Sequence, residues 1–399
     1  MSEENKLPKH WKVKKLGELC GIVYGKGLPV KQLKPTGFPV FGANGIIGFN
    51  DKYMYEEPQV LISCRGAYSG KINFSPAKCY ITNNSLILDI RKKEELDKNY
   101  LFYALSISNK TKLVTGTAQP QVTINNAVDL EIPIPPKIEQ KVIVAKIEEL
   151  LSDLENGKQQ LQIARLQLKV YRQSLLKWAF EGRFGFTQRA GNSIKDGELP
   201  QGWKWMKLSE VANKITDGEH ITPRRTSEGI LLLSARNIRN GTLALKDVDH
   251  IPIDEYARII KRCNPEHGDI LISCSGSIGR VCRVPLNLKF TLVRSVALVK
   301  FDWEKYSSKF YEYLFQSPLL QKQIDESKKA TAQANIFLGP IKNLDVIVCP
   351  LNEQQCIVDE LESKLTVCDK IEETIIQSLQ QAETLRQSIL KKAFEGKLV

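Results

Sequence analysis

The sequence predicts an α/β (α+β) chain: two repeated globular domains of mixed helix and strand, joined by two long helices that pack on each other. Three observations carry this expectation. Residues 172–182, RQSLLKWAFEG, return as RQSILKKAFEG at 386–396, 214 positions later. The segments ahead of both copies are apolar at helical spacing. Alternating and wholly apolar runs bounded by glycine turns fill the two intervening regions.

The long helices come first. Ile147, Leu150, Leu154, Leu161, Ala164, Leu168, Tyr171, Leu175 and Trp178 fall on the a/d seam of a coiled coil, weakened at Gly157. The second seam is Leu361, Cys368, Ile371, Ile375, Ala382, Leu385 and Ile389, interrupted by Lys364, Ser378 and Lys392. Each helix opens at a proline boundary, Pro135-Pro136 and Pro350, and closes near a glycine, Gly182 and Gly396. Each is therefore about 65 Å long at 1.5 Å per residue. A lone helix with a broken seam is marginal in water, so mutual packing is the economical arrangement. The alternative is that each helix lies on its own domain.

The 399 residues, 42% apolar and 26% charged, describe ordinary globular protein of two to three domains. No run of 18 apolar residues exists, and MSEENKLPKHW lacks the apolar segment of a signal peptide, so the expected compartment is cytoplasmic. Nine cysteines are scattered with no C-x-x-C, which disfavours zinc and fits a reducing compartment. The net charge of +12 is unevenly spread. Residues 1–136 carry 18 Lys/Arg against 12 Asp/Glu, residues 199–350 carry 22 against 16, and residues 351–399 carry 6 against 9. The positive surplus sits in the intervening regions, which favours a polyanion there and leaves the helices for protein contact.

Taken in order, the chain divides into halves. Leu7-Pro8 and Trp11 recur as Leu199-Pro200 and Trp203, each followed by a Lys-Leu that introduces a short helix. VLISCRGAYSG at 60–70 matches ILISCSGSIG at 270–279, and TAQPQ at 117–121 matches TAQAN at 331–335. Residues 98–108 and 308–317 read as equivalent short helices whose aromatics belong to the core. The resulting divisions are 1–136, 137–182, a linker at 183–198, 199–350 and 351–399.

Enzyme signatures are absent where they would be required. An amino-methyltransferase needs an Asn/Asp-Pro-Pro-aromatic loop, but Pro135-Pro136 follows Ile134 and starts a helix. GIVYGKG at 21–27 is one residue short of a phosphate loop and lacks its Ser/Thr. Clustered carboxylates for a nuclease metal are not evident; Glu395 and Lys397 have the spacing but lie on the long helix. His10, His220, His250 and His267 are far apart in sequence, which leaves a dispersed Ser/His/Asp triad open.

Two basic regions, each closed by TAQ, then Pro, Glu-Gln, a long helix and AFEG, resemble the specificity subunit of type I restriction-modification systems. The marks are TAQ at 117–119 and 331–333, PPKIEQ at 135–140, PLNEQQ at 350–355, AFEG at 179–182 and 393–396, and TDGEH at 216–220, which has no counterpart in the first region. The resemblance covers essentially the whole chain. It implies two target recognition domains related by a pseudo-two-fold axis, and an antiparallel coiled coil acting as spacer between them. It also implies double-stranded DNA with a bipartite site as ligand, two methyltransferase subunits, and two restriction/motor subunits in the full complex. Catalysis would belong to those partners, and no cofactor is implied for this chain.

Polar turn residues are the candidate DNA readers: Lys26, Asn44, Arg65, Tyr68, Lys71 and Gln121 in the first domain, and His220, Arg224, Arg225, Arg236, Asn237, Arg239, Ser275 and Arg280 in the second. Arg suits guanine edges, Asn or Gln adenine edges, and Lys phosphate; the plain alternative for each is a solvated surface group. Glu139, Gln140, Trp178, Phe180, Glu353, Gln354 and Phe394 suit scaffold or partner contacts. Gln119 and Gln333, with identical flanks, suit the shared scaffold. Two other functions stay open: a stand-alone DNA-binding regulator, which would bind tightly without partners, and a nuclease, which would cut alone with magnesium.

Overall fold

The structure is a computed structural model that describes residues 7–108, 113–116, 119–184, 198–329 and 335–399. The expectations for TAQ at 331–333, for Thr117 and Ala118, and for most of the linker at 183–198 fall outside those residues. The chain forms two compact units, residues 1–162 with 376–399, and residues 163–375.

In the first unit, Lys12–Lys15 pairs antiparallel with Glu131–Ile134, which joins the entry of the domain to its exit. The short helix Leu16–Leu19 leads into a four-stranded antiparallel sheet in the order Cys20–Tyr24, Ser85–Ile90, Val60–Ser63, Ile72–Phe74. Val60–Ser63 lies inside that sheet and is buried at every position, which explains a wholly apolar run rather than an alternating one. Beside it, Phe38–Phe41 pairs antiparallel with Ile46–Asn50 and parallel with Tyr80–Ile81. The helix Lys98–Ile107 is capped by Asp97, whose carboxylate accepts from the amides of Asn99 (2.9 Å) and Tyr100 (3.1 Å).

The second unit repeats this plan. Lys204–Lys207 pairs with Asp345–Val348, and the four-stranded sheet runs Lys214–Asp217, Val296–Lys300, Ile270–Ser273, Val281–Arg283. Ile230–Leu233 pairs antiparallel with Asp249–Ile251 and parallel with Phe290–Leu292. The extra residues of this half build the pair Ile238–Arg239 with Thr242–Leu243 and the helix Ile253–Ile259. Of the aromatics of the two short helices, Tyr100, Phe310, Tyr311 and Phe315 are fully buried in the core as expected, while Phe102, Tyr103 and Tyr313 are half-buried. The hydroxyl of Tyr100 donates to the Pro133 carbonyl (2.7 Å), and that of Tyr311 to the Ile347 carbonyl (3.3 Å).

The long helices are Lys137–Phe180 and Leu351–Phe394, 44 residues each. They pack on each other within each unit, and in the second they run antiparallel. In the first, Leu390, Ala393 and Phe394 share a core with Ile143, Val144 and Ile147. In the second, Arg165 pairs with Glu372 (3.4 Å) and Arg172 with Asp369 (2.6 Å), so numbers rise along one helix as they fall along the other. The expected seam needs correction at four places: Tyr171, Trp178, Ile371 and Leu385 are exposed, whereas Leu176, Ala179, Phe180, Ala393 and Phe394 are buried. A 3.6-residue helix drifts from a strict 3.5 repeat, and toward the AFEG ends the apolar face turns to the globular part of its unit, where Phe180 meets Phe310 and Phe394 meets Tyr100.

No helix among the described residues is long and apolar enough to cross a membrane. Eight cysteines are buried and only Cys356 is half-buried. Burial pushes the thiols of Cys20, Cys263 and Cys274 up to about 12 and that of Cys79 up to about 11. Because the thiolate is the nucleophile, iodoacetamide at pH 8 is expected to label Cys356 well before the others in the native chain and all nine under denaturant. Mass spectrometry of timed samples checks this, and rapid native labelling at Cys274 would contradict the buried core.

Candidate nucleic-acid interface

The same frame of main-chain hydrogen bonds gathers the turns at one end of each four-stranded sheet. In the first unit the amide of Gly25 donates to the Ser85 carbonyl (3.1 Å) and that of Lys26 to Ile81 (3.0 Å). In the second, Gly218 donates to Val296 (3.2 Å) and Glu219 to Leu292 (2.8 Å). Cys64 donates to Asn84 (3.0 Å) and accepts from Val122 (3.0 Å); Cys274 donates to Ser295 (2.8 Å) and accepts from Ile336 (2.9 Å). Thr82 donates to Phe41 (2.9 Å), and Val293 to Leu233 (3.0 Å). The bridges Arg65 to Gln121 and Ser275 to Asn335 complete the correspondence.

Matching these bonds aligns five turn positions: Lys26 with Glu219, Asn44 with Arg236, Arg65 with Ser275, Asn83 with Arg294, and Gln121 with Asn335. Four of the pairs differ in chemical class and the fifth differs in length. The backbone is shared while the functional groups are not. The glycine of this frame is shared as well: Gly25 stands where TDGEH has Gly218, while the Thr, Asp, Glu and His of that motif have no chemical counterpart in the first domain. A β-carbon at Gly218 would lie 2.2 Å from the Leu292 carbonyl oxygen, and one at Gly25 2.3 Å from that of Thr82. Close backbone approach requires glycine at both places.

Among the predicted readers of the first domain, Lys26, Arg65, Tyr68, Lys71 and Gln121 are exposed on these turns. The Lys71 ammonium lies 5.7 Å from the centre of the Tyr68 ring, and the Ser69 hydroxyl ties their turn to the Pro120 carbonyl (2.6 Å). Asn44 is half-buried, and its side-chain oxygen has no hydrogen-bond partner among the described residues.

In the second domain, His220, Arg225 and Ser275 line a cavity of about 760 Å³ together with Asp217, Glu219 and Arg294. His220 Nε2 is 2.8 Å from Asp217 Oδ2 and 3.0 Å from Arg262 Nη2, and Arg262 bonds the other Asp217 oxygen at 2.6 Å. Burial opposes ionisation of Glu219, but the amides of Ile221 and His220 and the Arg258 guanidinium (3.1 Å) outweigh it and lower its pKa. Several predicted arginines are committed to carboxylates: Arg224 to Asp254 (2.8 Å), and Arg225 and Arg236 to Asp249 (3.2 Å each). Arg239 donates to the Arg236 carbonyl (2.7 Å). Arg280 is half-buried and makes no ion pair among the described residues.

Asn237 requires a correction. It is 1% exposed, its amide donates to the carbonyls of Ala244 and Asp247 (2.9 Å each), and its oxygen accepts from the Ser234 amide (3.0 Å). It closes a loop from inside and presents nothing to a ligand. Of the aligned turn residues, sequence reasoning did not single out Asn83, Glu219, Arg294 and Asn335. Asn335 was findable as the counterpart of Gln121 in TAQPQ and TAQAN, whereas Asn83 and Arg294 share no local sequence.

The scaffold residues are mostly internal. Gln140 and Gln354 are fully buried, Phe180 packs on Phe310 (ring centres 5.2 Å) and Phe394 on Tyr100 (5.1 Å), and Glu353 is 6% exposed. Glu139 accepts from the Trp11 indole (2.9 Å) and meets His10 Nε2 (2.8 Å). Trp178 alone of this group presents a large apolar side chain to solvent.

The chain matches the family model for the type I restriction modification DNA specificity domain twice, over residues 8–165 and 200–381. It is 26% identical over 326 residues to the type I restriction enzyme EcoBI specificity subunit of Escherichia coli, covering 77% of this chain and 67% of that protein. It is 24% identical over 428 residues to the EcoKI specificity subunit of Escherichia coli K12, covering 98% and 90%. Among solved structures, one concerned with complex assembly and conformational transition of the type I R-M system aligns with a TM-score of 0.71 at 20% identity, covering 98% of this chain and 99% of that one. The HsdS subunit from Thermoanaerobacter tengcongensis aligns at 0.58 and 19%, covering 99% of each chain. Those two likenesses establish the fold, and the doubled family match establishes the kinship: this chain belongs to the type I restriction-modification DNA specificity family.

Proposed function

We propose that this chain is the non-catalytic specificity subunit of a type I restriction-modification complex, with each domain placing its gathered turns on one half of a bipartite duplex target. The observation that carries the reading is the shared hydrogen-bonded frame with different side chains at its five aligned turn positions. A frame duplicated for one chemistry would keep its functional groups; a frame that reads two different half-sites must change them. The surplus of six positive charges in each intervening region supports a phosphate-rich partner, whose contacts would weaken with salt. Two equivalent long helices ending in AFEG supply two equivalent platforms for two methyltransferase subunits, to which two restriction/motor subunits add. The described turns of both domains lie outside those helices, so DNA reading and subunit docking use separate parts of the chain.

Deleting the gene is expected to remove one split methylation motif from the host genome while leaving all other motifs in place. Single-molecule methylation sequencing of intact and deleted strains measures this directly. Identical methylomes, in cells that express the partner subunits, would refute the proposal.

A further inference from the structure

Within the second unit, the arginines around the cavity are mostly neutralised by neighbours. Arg262 holds Asp217, Arg258 holds Glu219, and Arg225 holds Asp249. Arg294 lines the same cavity, is exposed, and has no side-chain partner among the described residues. The nearby carboxylates already carry their own guanidinium groups, so its fork of donors remains available to a ligand.

Its backbone, by contrast, is fixed from three sides. The Arg294 amide donates to the Glu219 carbonyl (3.0 Å), the Val293 amide to Leu233 (3.0 Å), and the Ser295 hydroxyl accepts from the Ala235 amide (3.0 Å) while the Ser295 carbonyl accepts from Cys274 (2.8 Å). An unpaired guanidinium on a pinned backbone is suited to directional recognition, because only the side chain, and not the turn that carries it, has to be ordered on binding. The equivalent residue of the first domain, Asn83, is held alike: the Cys64 thiol donates to its carbonyl (3.4 Å) and the Cys64 amide to that of Asn84 (3.0 Å). Its side-chain amide has no partner among the described residues either.

We propose that Arg294 and Asn83 are specificity-determining residues at equivalent places of the two frames, Arg294 reading a guanine edge in one half-site and Asn83 an adenine edge in the other. The inference rests on the proposed function. It follows from the pairing chemistry of the major groove, where a guanidinium meets guanine O6 and N7 and a carboxamide meets adenine N6 and N7.

The test compares host methylomes directed by the wild-type chain, R294Q, R294K and N83A, with soluble yield and thermal melting measured for each variant. R294Q is expected to lose preference by about ten- to a hundred-fold at one guanine position of one half-site, with the other half-site unchanged. R294K is expected to relax the same position, because an ammonium keeps the charge but not the fork. N83A is expected to relax one adenine position in the opposite half-site. An unchanged motif in R294Q overturns the proposal. So does a loss of methylation that is uniform over all sites and restored in R294K, since that marks a phosphate contact. If R294Q fails to accumulate, R294K decides. A wild-type chain that directs no bipartite motif would sink the proposed function itself and this inference with it.

Discussion

Replacing Gln354 with leucine is expected to lower the melting temperature of the second unit by about 5–15 °C. The Gln354 side chain is fully buried at the start of the second long helix. Its oxygen accepts from the amide of Ser307, the capping residue of the helix Ser308–Gln316, and its nitrogen donates to the Cys349 carbonyl (2.8 Å each). Leucine fills much of the volume but leaves two buried backbone groups unpaired, at about 1–3 kcal/mol each. For a unit of this size each kcal/mol is worth about 2–4 °C. Gln140 does the same in the first unit, accepting from the Asp97 amide and donating to the carbonyls of Glu95 and Pro135 (2.8 Å each), so Gln140→Leu is expected to act equally there. Glutamate should not rescue either site, because a carboxylate cannot donate and is costly to bury. Gln355→Leu, on the exposed face beside Asp359, should stay within about 0.5 kcal/mol. Calorimetry of the full-length variants measures all of these. If Gln354→Leu melts with the wild type, the amide does not hold the two helices together.

The second large effect is expected from Gly218→Val, with loss of more than about 90% of methylation at the bipartite site. The clash would be with backbone: the new β-carbon would lie 2.2 Å from the Leu292 oxygen and 2.3 Å from its carbon, so no side-chain rotation relieves it. The strand Lys214–Asp217 would have to part from residues 292–296, breaking the bonds of Gly218 and Glu219 that hold the turn. Overpacking of this kind costs about 1–3 kcal/mol, occasionally more, which is survivable for the unit but not for the placement of His220, Arg225 and Arg294. Gly25→Val should do the same in the first domain. Gly27→Ala is the control, since a β-carbon there meets nothing within 4 Å. Methylation assays with matched protein levels decide the matter, and normal methylation by Gly218→Val would show that the turn does not need its position.

How far the molecule could be read from sequence depends on whether a constraint leaves a side-chain trace. The duplicated helices did, because packing fixes AFEG, and Gln140 and Gln354 keep their place because a buried amide has few substitutes. The paired glycines did only in part. Gly218 stands inside a recognisable TDGEH, but Gly25 sits in GIVYGKG, where only the backbone contact identifies it. The readers were the least legible. Arg224 and Arg236 have the composition of base-reading residues, yet their carboxylate partners lie 30 and 13 positions away in sequence, at Asp254 and Asp249. Asn237 could not be distinguished from its exposed neighbour Arg236 without knowing which way the turn faces. Trp178 was placed on the seam by a 3.5 repeat that a straight helix does not keep.

The division of the long helices between units has a consequence for synthesis. The first unit consists of residues 1–162 with 376–399, so it is discontinuous in the chain. Leu390, Ala393 and Phe394, which cover Tyr100 and Ile147, leave the ribosome only after the entire second unit has been translated. Until then the nascent amino-terminal domain carries an uncovered apolar face, and the later-made domain can finish folding before the earlier one. A premature stop after residue 375 would therefore spare the domain nearest the break and injure the one made first.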